Sequence, residues 1–108
     1  MDDIKIISYN CRGLHDTKKR ADMFSFLKDR KANIYCLQDL HFTPNMQKTV
    51  YTEWNGDCFF SFGDSNSRGV GVFFSKNIDY KIHKSWADTE GNYIVLDITV
   101  NSNRFTFK

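Results

Sequence analysis

Two short apolar runs, each stopping at polar residues, set the pattern of the chain. The first, Ile4-Lys5-Ile6-Ile7-Ser8-Tyr9, gives way to Asn10-Cys11-Arg12-Gly13-Leu14; the second, from Asn33 to Gln38, carries Ile34-Tyr35-Cys36-Leu37 and ends at Gln38-Asp39, with His41 close behind. Between them Asp16 or Thr17 can cap a helix reaching about Asp29, on which Met23, Phe24 and Leu27 form an apolar stripe. Strand, helix and strand at this spacing predict a βαβ unit, with the two strands parallel and their polar ends on one edge of the sheet. Ligands of open α/β sheets sit outside that carboxyl edge. Asn10 and Asp39 are therefore the candidate functional pair.

The remaining pattern is mostly antiparallel. Past Pro44, a polar segment from Asn45 to Glu53 can hold a short helix, and Asn55-Gly56 marks a turn. Cys58 to Phe62 and Val70 to Ser75 read as a hairpin with a long polar tip, residues 63–69, carrying Arg68. That tip suits either a phosphate backbone or open solvent. Tyr80 to Trp86 alternates, Ala87 to Gly91 turns the chain, and Asn92 to Val100 puts Ile94, Leu96, Ile98 and Val100 on one face. A tight turn at Asn101-Ser102-Asn103 leads into a last alternating strand, Arg104 to Lys108. The whole predicts an α/β domain: a mixed, mostly antiparallel sheet with a β-α-β start and its helix on one face.

Composition narrows this a little. With 108 residues the chain is one domain by length, 1–108, and ten Phe, five Tyr and two Trp give it ample core material. A net charge of +2 neither demands nor excludes nucleic acid. Lys18, Lys19 and Arg20 oppose the dipole at the start of the predicted helix, and read either as a solvated face or as a phosphate-facing patch. Cys11, Cys36 and Cys58 match no disulfide framework or zinc spacing, which points to reduced thiols in an intracellular protein. There is no apolar signal-peptide core and no run near the ~18 residues of a membrane span, so neither secretion nor a membrane partner is expected.

Ser8-Tyr9-Asn10-Cys11-Arg12-Gly13-Leu14, then Cys36-Leu37-Gln38-Asp39-Leu40-His41-Phe42-Thr43, then Ser67-Arg68-Gly69-Val70-Gly71-Val72 together resemble the endonuclease/exonuclease/phosphatase superfamily. They are most similar to the N-terminal endonuclease domain of LINE-type (non-LTR) retrotransposon polyproteins. Gly91-Asn92-Tyr93-Ile94-Val95-Leu96-Asp97 continues the match in the family's order. The resemblance implies a four-layer α/β sandwich, with this chain its N-terminal half, and Mg²⁺-dependent nicking of DNA in the nucleus. It makes Asp39 the anchor of the metal and Asn10 the residue that orients the phosphate or a metal-bound water, both counted as catalytic and metal-binding. Gln38, His41 and Arg68 become candidate DNA contacts. Mg²⁺ suits such a site, because it is held by one or two carboxylates while water and substrate phosphate fill its other positions.

Two departures accompany the match. The superfamily most often has glutamate where this chain has Asp39, which sets the carboxylate back by one carbon. The family's later catalytic tyrosine, aspartate-x-asparagine pair, further aspartate and closing aspartate-histidine pair have no counterpart, and Asp79, Asp88 and Asp97 lie in the wrong segments to replace them. The fragment is therefore expected to be inactive or nearly so. Half a sandwich is also expected to leave an apolar face, including some of Ile94, Leu96, Ile98 and Val100, open to self-association or a partner segment. Alternatives are another branch of the superfamily, such as an abasic-site endonuclease, a sphingomyelinase or a phosphoinositide phosphatase, or a non-catalytic binding module derived from a retroelement.

Overall fold

The computed structural model describes residues 4–64, 67–76, 78–100 and 103–107, leaving aside the side chains of 103–105 and 107. In chain order it contains β1 (Ile6–Asn10), α1 (Thr17–Asp29), β2 (Ile34–Gln38), a single 3-10 turn (Pro44–Met46), α2 (Gln47–Trp54), β3 (Cys58–Ser61), β4 (Val70–Phe74), β5 (Tyr80–Ala87), β6 (Ile94–Val100) and β7 (Asn103–Phe107). The predicted elements are all present, with ends moved by one or two residues. Two positions of the hairpin tip, 65–66, and the predicted turn at 101–102 lie outside the described residues.

The strands form two sheets. In the first, ordered β1-β2-β4-β3, β1 and β2 run parallel with Ile6 opposite Ile34 and Asn10 opposite Gln38. β4 runs antiparallel to both β2 and β3. The second sheet is the antiparallel meander β5-β6-β7. β2 explains how the layers stack. Its Tyr35 and Leu37 join Phe24 and Leu27 of α1, Trp54 of α2 and Phe73 in one core, while Ile34 joins Val72 and Phe74 in a second. Being covered on both faces, β2 reads in sequence as a continuous apolar run, not an alternation.

The second core corrects one expectation. Leu96, Ile98 and Val100 are fully buried and Ile94 nearly so, packed with Ile34, Val72 and Phe74 of the first sheet. The face expected to lie bare is covered, because this chain supplies strands of both sheets. The other face of β5 and β6 carries the register pairs Lys81–Thr99 and Lys84–Asp97, the composition of a sheet face turned to solvent. What stays open is β1. Among the described residues it pairs only with β2, and its Ile6 and Tyr9 are exposed.

Local chemistry accounts for the helices. Asp16 caps α1, its carboxylate accepting from the Lys19 N–H at 2.9 Å. The basic first turn divides its labour: Lys18 pairs with Asp22 on the surface, whereas Arg20 is buried and bonds Glu53 of α2 at 2.6 and 3.1 Å. Arg20 also donates to the carbonyls of Leu14 at 3.1 Å and His15 at 2.8 Å, fastening the loop after β1 to both helices. α2 ends where Asn55 turns left-handed, at φ 58°, and Gly56 follows where a Cβ would meet the Phe74 carbonyl. No helix among the described residues is long and apolar enough to cross a membrane.

Candidate functional site

Beyond their last paired residues β1 and β2 stay in register. Cys11 N–H donates to Gln38 O at 2.9 Å, Gly13 to Asp39 O at 2.7 Å and Leu14 to Leu40 O at 2.8 Å. From the opposite side the loop before β4 joins in: Leu40 donates to Gly69 O at 2.9 Å and His41 to Arg68 O at 2.8 Å. Gly69 in turn donates to Gly91 O at 2.8 Å, which ties in the β5–β6 turn of the second sheet. Four loops are thus bonded to one another around residues 39–41. Three of the four segments carrying the family resemblance therefore meet at one place, with Gly91 of the fourth beside them.

Asp39 and His41 both have positive φ, 56° and 62°. Asp and His are among the few side chains that enter this region with any frequency. The His41 Nε2 lies 2.7 Å from Asp39 Oδ1, and the Asp39 side chain is 38% exposed against 18% for His41. One carboxylate oxygen is engaged and the group remains open to solvent. The ring of His41 rests on Gly13, whose φ is +91° and where a Cβ would come within 2.6 Å of Nδ1. Glycine is required there twice over, by the backbone angle and by the ring. Asn10, at the exposed end of β1, accepts from the Arg12 N–H through Oδ1 at 3.1 Å. Its position opposite Gln38 places it one strand spacing, about 4.8 Å, from the start of the Asp39 segment.

The other predicted contacts are placed as follows. Gln38 folds back along the sheet, its Nε2 donating to Ser8 Oγ and to the Cys36 carbonyl, both at 3.0 Å, so its amide spans β1 and β2. His41 faces Asp39. Arg68, at φ 61°, is half-exposed and lies 3.9 Å from Asp64 in a loose ion pair, while its carbonyl holds His41. Lys19, considered in sequence only as part of a basic turn, donates to the Arg12 carbonyl at 3.0 Å and so reaches the rim of the site. His15 is exposed, and His83 sits on the outer sheet beside Thr99, away from Asp39.

Electrostatics leave oxygen as the donor type here. Burial pushes the Cys11 thiol up to about 12, with the Asp39 charge adding to the rise and Lys19 opposing it, so the sulfur stays protonated at neutral pH. All three cysteines are free. Among the described residues no group of three His, Cys, Asp or Glu is arranged to hold a metal ion. What the strand ends present is one open carboxylate, one amide and a ring of backbone groups.

No family model matches the sequence. Solved structures do match in shape. An endonuclease/exonuclease/phosphatase from Bacteroides vulgatus superposes with a TM-score of 0.67 at 14% identity, over 98% of this chain and 51% of that one. The catalytic domain of human nocturnin, solved with a bound sulfate anion, gives 0.63 at 14% identity over 96% and 46%. A mannosyl-6-phosphatase from Bacteroides thetaiotaomicron gives 0.62 at 12% identity over 97% and 49%. The chain spans about half the length of these structures, and over that half it has the layered α/β fold of endonuclease/exonuclease/phosphatase proteins, as expected of an N-terminal half.

Proposed function

We propose that this chain is the metal-anchoring half of a phosphate-ester hydrolase, with DNA phosphodiesters as substrate and Mg²⁺ as metal. The observation that carries the proposal is that Asn10 ends β1 opposite Gln38 and Asp39 follows directly on β2, at the carboxyl ends of two neighbouring parallel strands and in a frame bonded together by the loops that carry the resemblance. The donor set fits a hard ion: Asp39 offers an open carboxylate, Asn10 an amide oxygen, and Mg²⁺ keeps waters or substrate oxygens in its remaining positions. When bound, such an ion polarises the phosphoryl group and stabilises charge on the leaving oxygen. The chain's own residues supply placement. His41 and the left-handed turn at Asp39 fix the carboxylate, Asn10 faces the phosphate, and Arg68 and Lys19 put positive charge on the rim.

The LINE-type branch is favoured by the order Ser67-Arg68-Gly69-Val70 after the Asp39 motif. A second reading, a binding module without chemistry, gains from the lack of a three-ligand cluster among the described residues. Titration of the chain with Mg²⁺, followed by amide resonances, separates the two. Saturable shifts at residues 10–13 and 38–41 that vanish in Asp39→Asn support the proposal, and the same chain is expected to nick supercoiled plasmid weakly or not at all. Shifts that persist in Asp39→Asn, or nicking that survives Asp39→Ala, would refute it.

A further inference from the structure

At the end of the first sheet opposite Asp39, an open cavity of about 280 Å³ lies between the C-terminal ends of α1 and α2 and the residues that follow β4. β2 runs from Tyr35 in this cavity to Asp39 in the candidate site, a span of about 13 Å. The floor is aromatic, made by Tyr35, Trp54 and Phe74, all buried. Every charged residue of the lining is cationic: Lys28, Lys31 and Lys76. A small apolar cavity with a few convergent polar groups is the usual form of a small-molecule site. The one-signed charge specifies an anion.

Lys28 is tied to the wall of the cavity. Its Nζ donates to the Trp54 carbonyl at 2.6 Å, at the electron-rich C-terminal end of α2, and lies 4.9 Å from the centre of the Trp54 ring. Burial, with the charge of Lys76 adding to it, lowers the affinity of the Lys28 amine for its proton. Among the described residues no ion pair joins Lys28, Lys31 or Lys76 to a carboxylate. In the adjoining cavity, which Lys76 also lines, Asp57 accepts from the hydroxyls of Tyr51 and Tyr80. Like charges are gathered around a cavity whose own lining holds no carboxylate.

We infer that this cavity binds the phosphoryl group of a small molecule, held by the ammonium groups of Lys28, Lys31 and Lys76 over the Trp54–Phe74 floor. Lysine serves phosphate as a point charge on a flexible stem, so lysines lining one cavity can turn toward a shared anion. The site is independent of the reading of Asp39, and its test requires no catalysis.

The chain has two tryptophans, so Trp86→Phe leaves Trp54 as the sole indole reporter. Its fluorescence is titrated with inorganic phosphate and with ribose 5-phosphate, against sodium chloride at matched ionic strength. A saturable change with phosphate or the ester, absent with chloride and weakened at least tenfold by Lys76→Gln, is expected; tighter binding of the ester identifies an esterified ligand. Lys76 is exposed, so its replacement leaves the fold intact. Without phosphate, Lys76→Gln is expected to melt at or above the parent temperature, because a repulsion is removed, and to lose the rise in Tm that phosphate gives the parent. A response equal to that of chloride, or one unchanged by Lys76→Gln, overturns the inference. So does tight binding of a short DNA duplex with no saturable response to phosphate, which would make the cluster a nucleic-acid surface.

Discussion

Replacing Gly13 by alanine tests the coupling at the centre of the candidate site. The added methyl would lie 2.6 Å from His41 Nδ1 and 2.9 Å from Cε1, at a backbone angle of φ +91°. Holding an L-residue in a left-handed conformation costs about 1–2 kcal/mol. The imidazole cannot keep its place, so its contact with Asp39, 2.7 Å in the native chain, is lost for about another 1 kcal/mol. The expected destabilisation is about 2–3 kcal/mol, a large share of the roughly 5–15 kcal/mol that holds a domain together. Equilibrium urea unfolding reads it as a lower midpoint at unchanged slope. Repeating the substitution in a His41→Ala background removes the ring, leaving only the backbone cost. The two costs should then differ by about 1 kcal/mol, the coupling of Gly13 to His41. Equal costs in both backgrounds, within about 0.3 kcal/mol, would refute the claim that the ring depends on the missing Cβ.

Two further outcomes follow from buried charge. Arg20→Leu removes a guanidinium that joins Glu53 to the Leu14 and His15 carbonyls and whose side chain is only 4% exposed, so a loss of about 3–5 kcal/mol is expected in urea unfolding. Glu53→Gln should cost about 1–2 kcal/mol, because Glu53 is partly solvated and Arg20 keeps its two carbonyls; the reverse ranking would contradict the clamp. Burial holds the thiols of Cys11 and Cys58 at about 12 in the folded chain, against an ordinary 9.0. Folded pKa values raised in this way contribute stability that is complete below pH 9 and lost as pH climbs toward 12, since the unfolded chain releases those protons first. The phenols of Tyr51 and Tyr80, raised by burial and by the neighbouring Asp57, act in the same direction. Urea midpoints should therefore fall steadily above pH 9, less steeply in Cys58→Ala; a flat profile would count against buried, protonated thiols.

The sequence made the βαβ unit, the β3–β4 hairpin and the alternation of β6 legible, because each is written in a local period. Asp16 as the cap of α1 and Asn55-Gly56 as the end of α2 were likewise local signals. Asn10 and Asp39 could be named for a related reason: parallel strands of a βαβ unit must bring their ends together. What covers β6 was not legible. Its apolar face reads the same whether its partner lies in the same chain or elsewhere, and only the tertiary arrangement puts Ile34, Val72 and Phe74 opposite it. The basic turn was ambiguous for a similar reason. Lys18, Lys19 and Arg20 are alike in sequence, but 33 residues separate Arg20 from the Glu53 that draws it inward, and Lys19 reaches the Arg12 carbonyl only because the loop before α1 folds back beside it.

The backbone of the site suggests where the effort of building it has gone. Arg12, Gly13, Asp39, His41, Arg68, Gly69 and Gly91 all have positive φ, and all lie in the loops that meet around residues 39–41; Lys31 and Asn55, the other two such residues described, merely end helices. For the four that are not glycine, the conformation costs on the order of 1–2 kcal/mol each. That strain is held in place by the inter-loop hydrogen bonds and, behind them, by fully buried Leu14 and Leu40 and nearly buried Phe42. Strained backbone collects where a fold must aim particular groups in particular directions. Here the groups so held are a carboxylate, an imidazole, two guanidinium groups and a set of amides, and the carboxylate keeps one oxygen outside its contact with His41. Such a frame is more elaborate than a surface turn needs. It is the arrangement expected of loops that must hold residues 39–41 in one conformation.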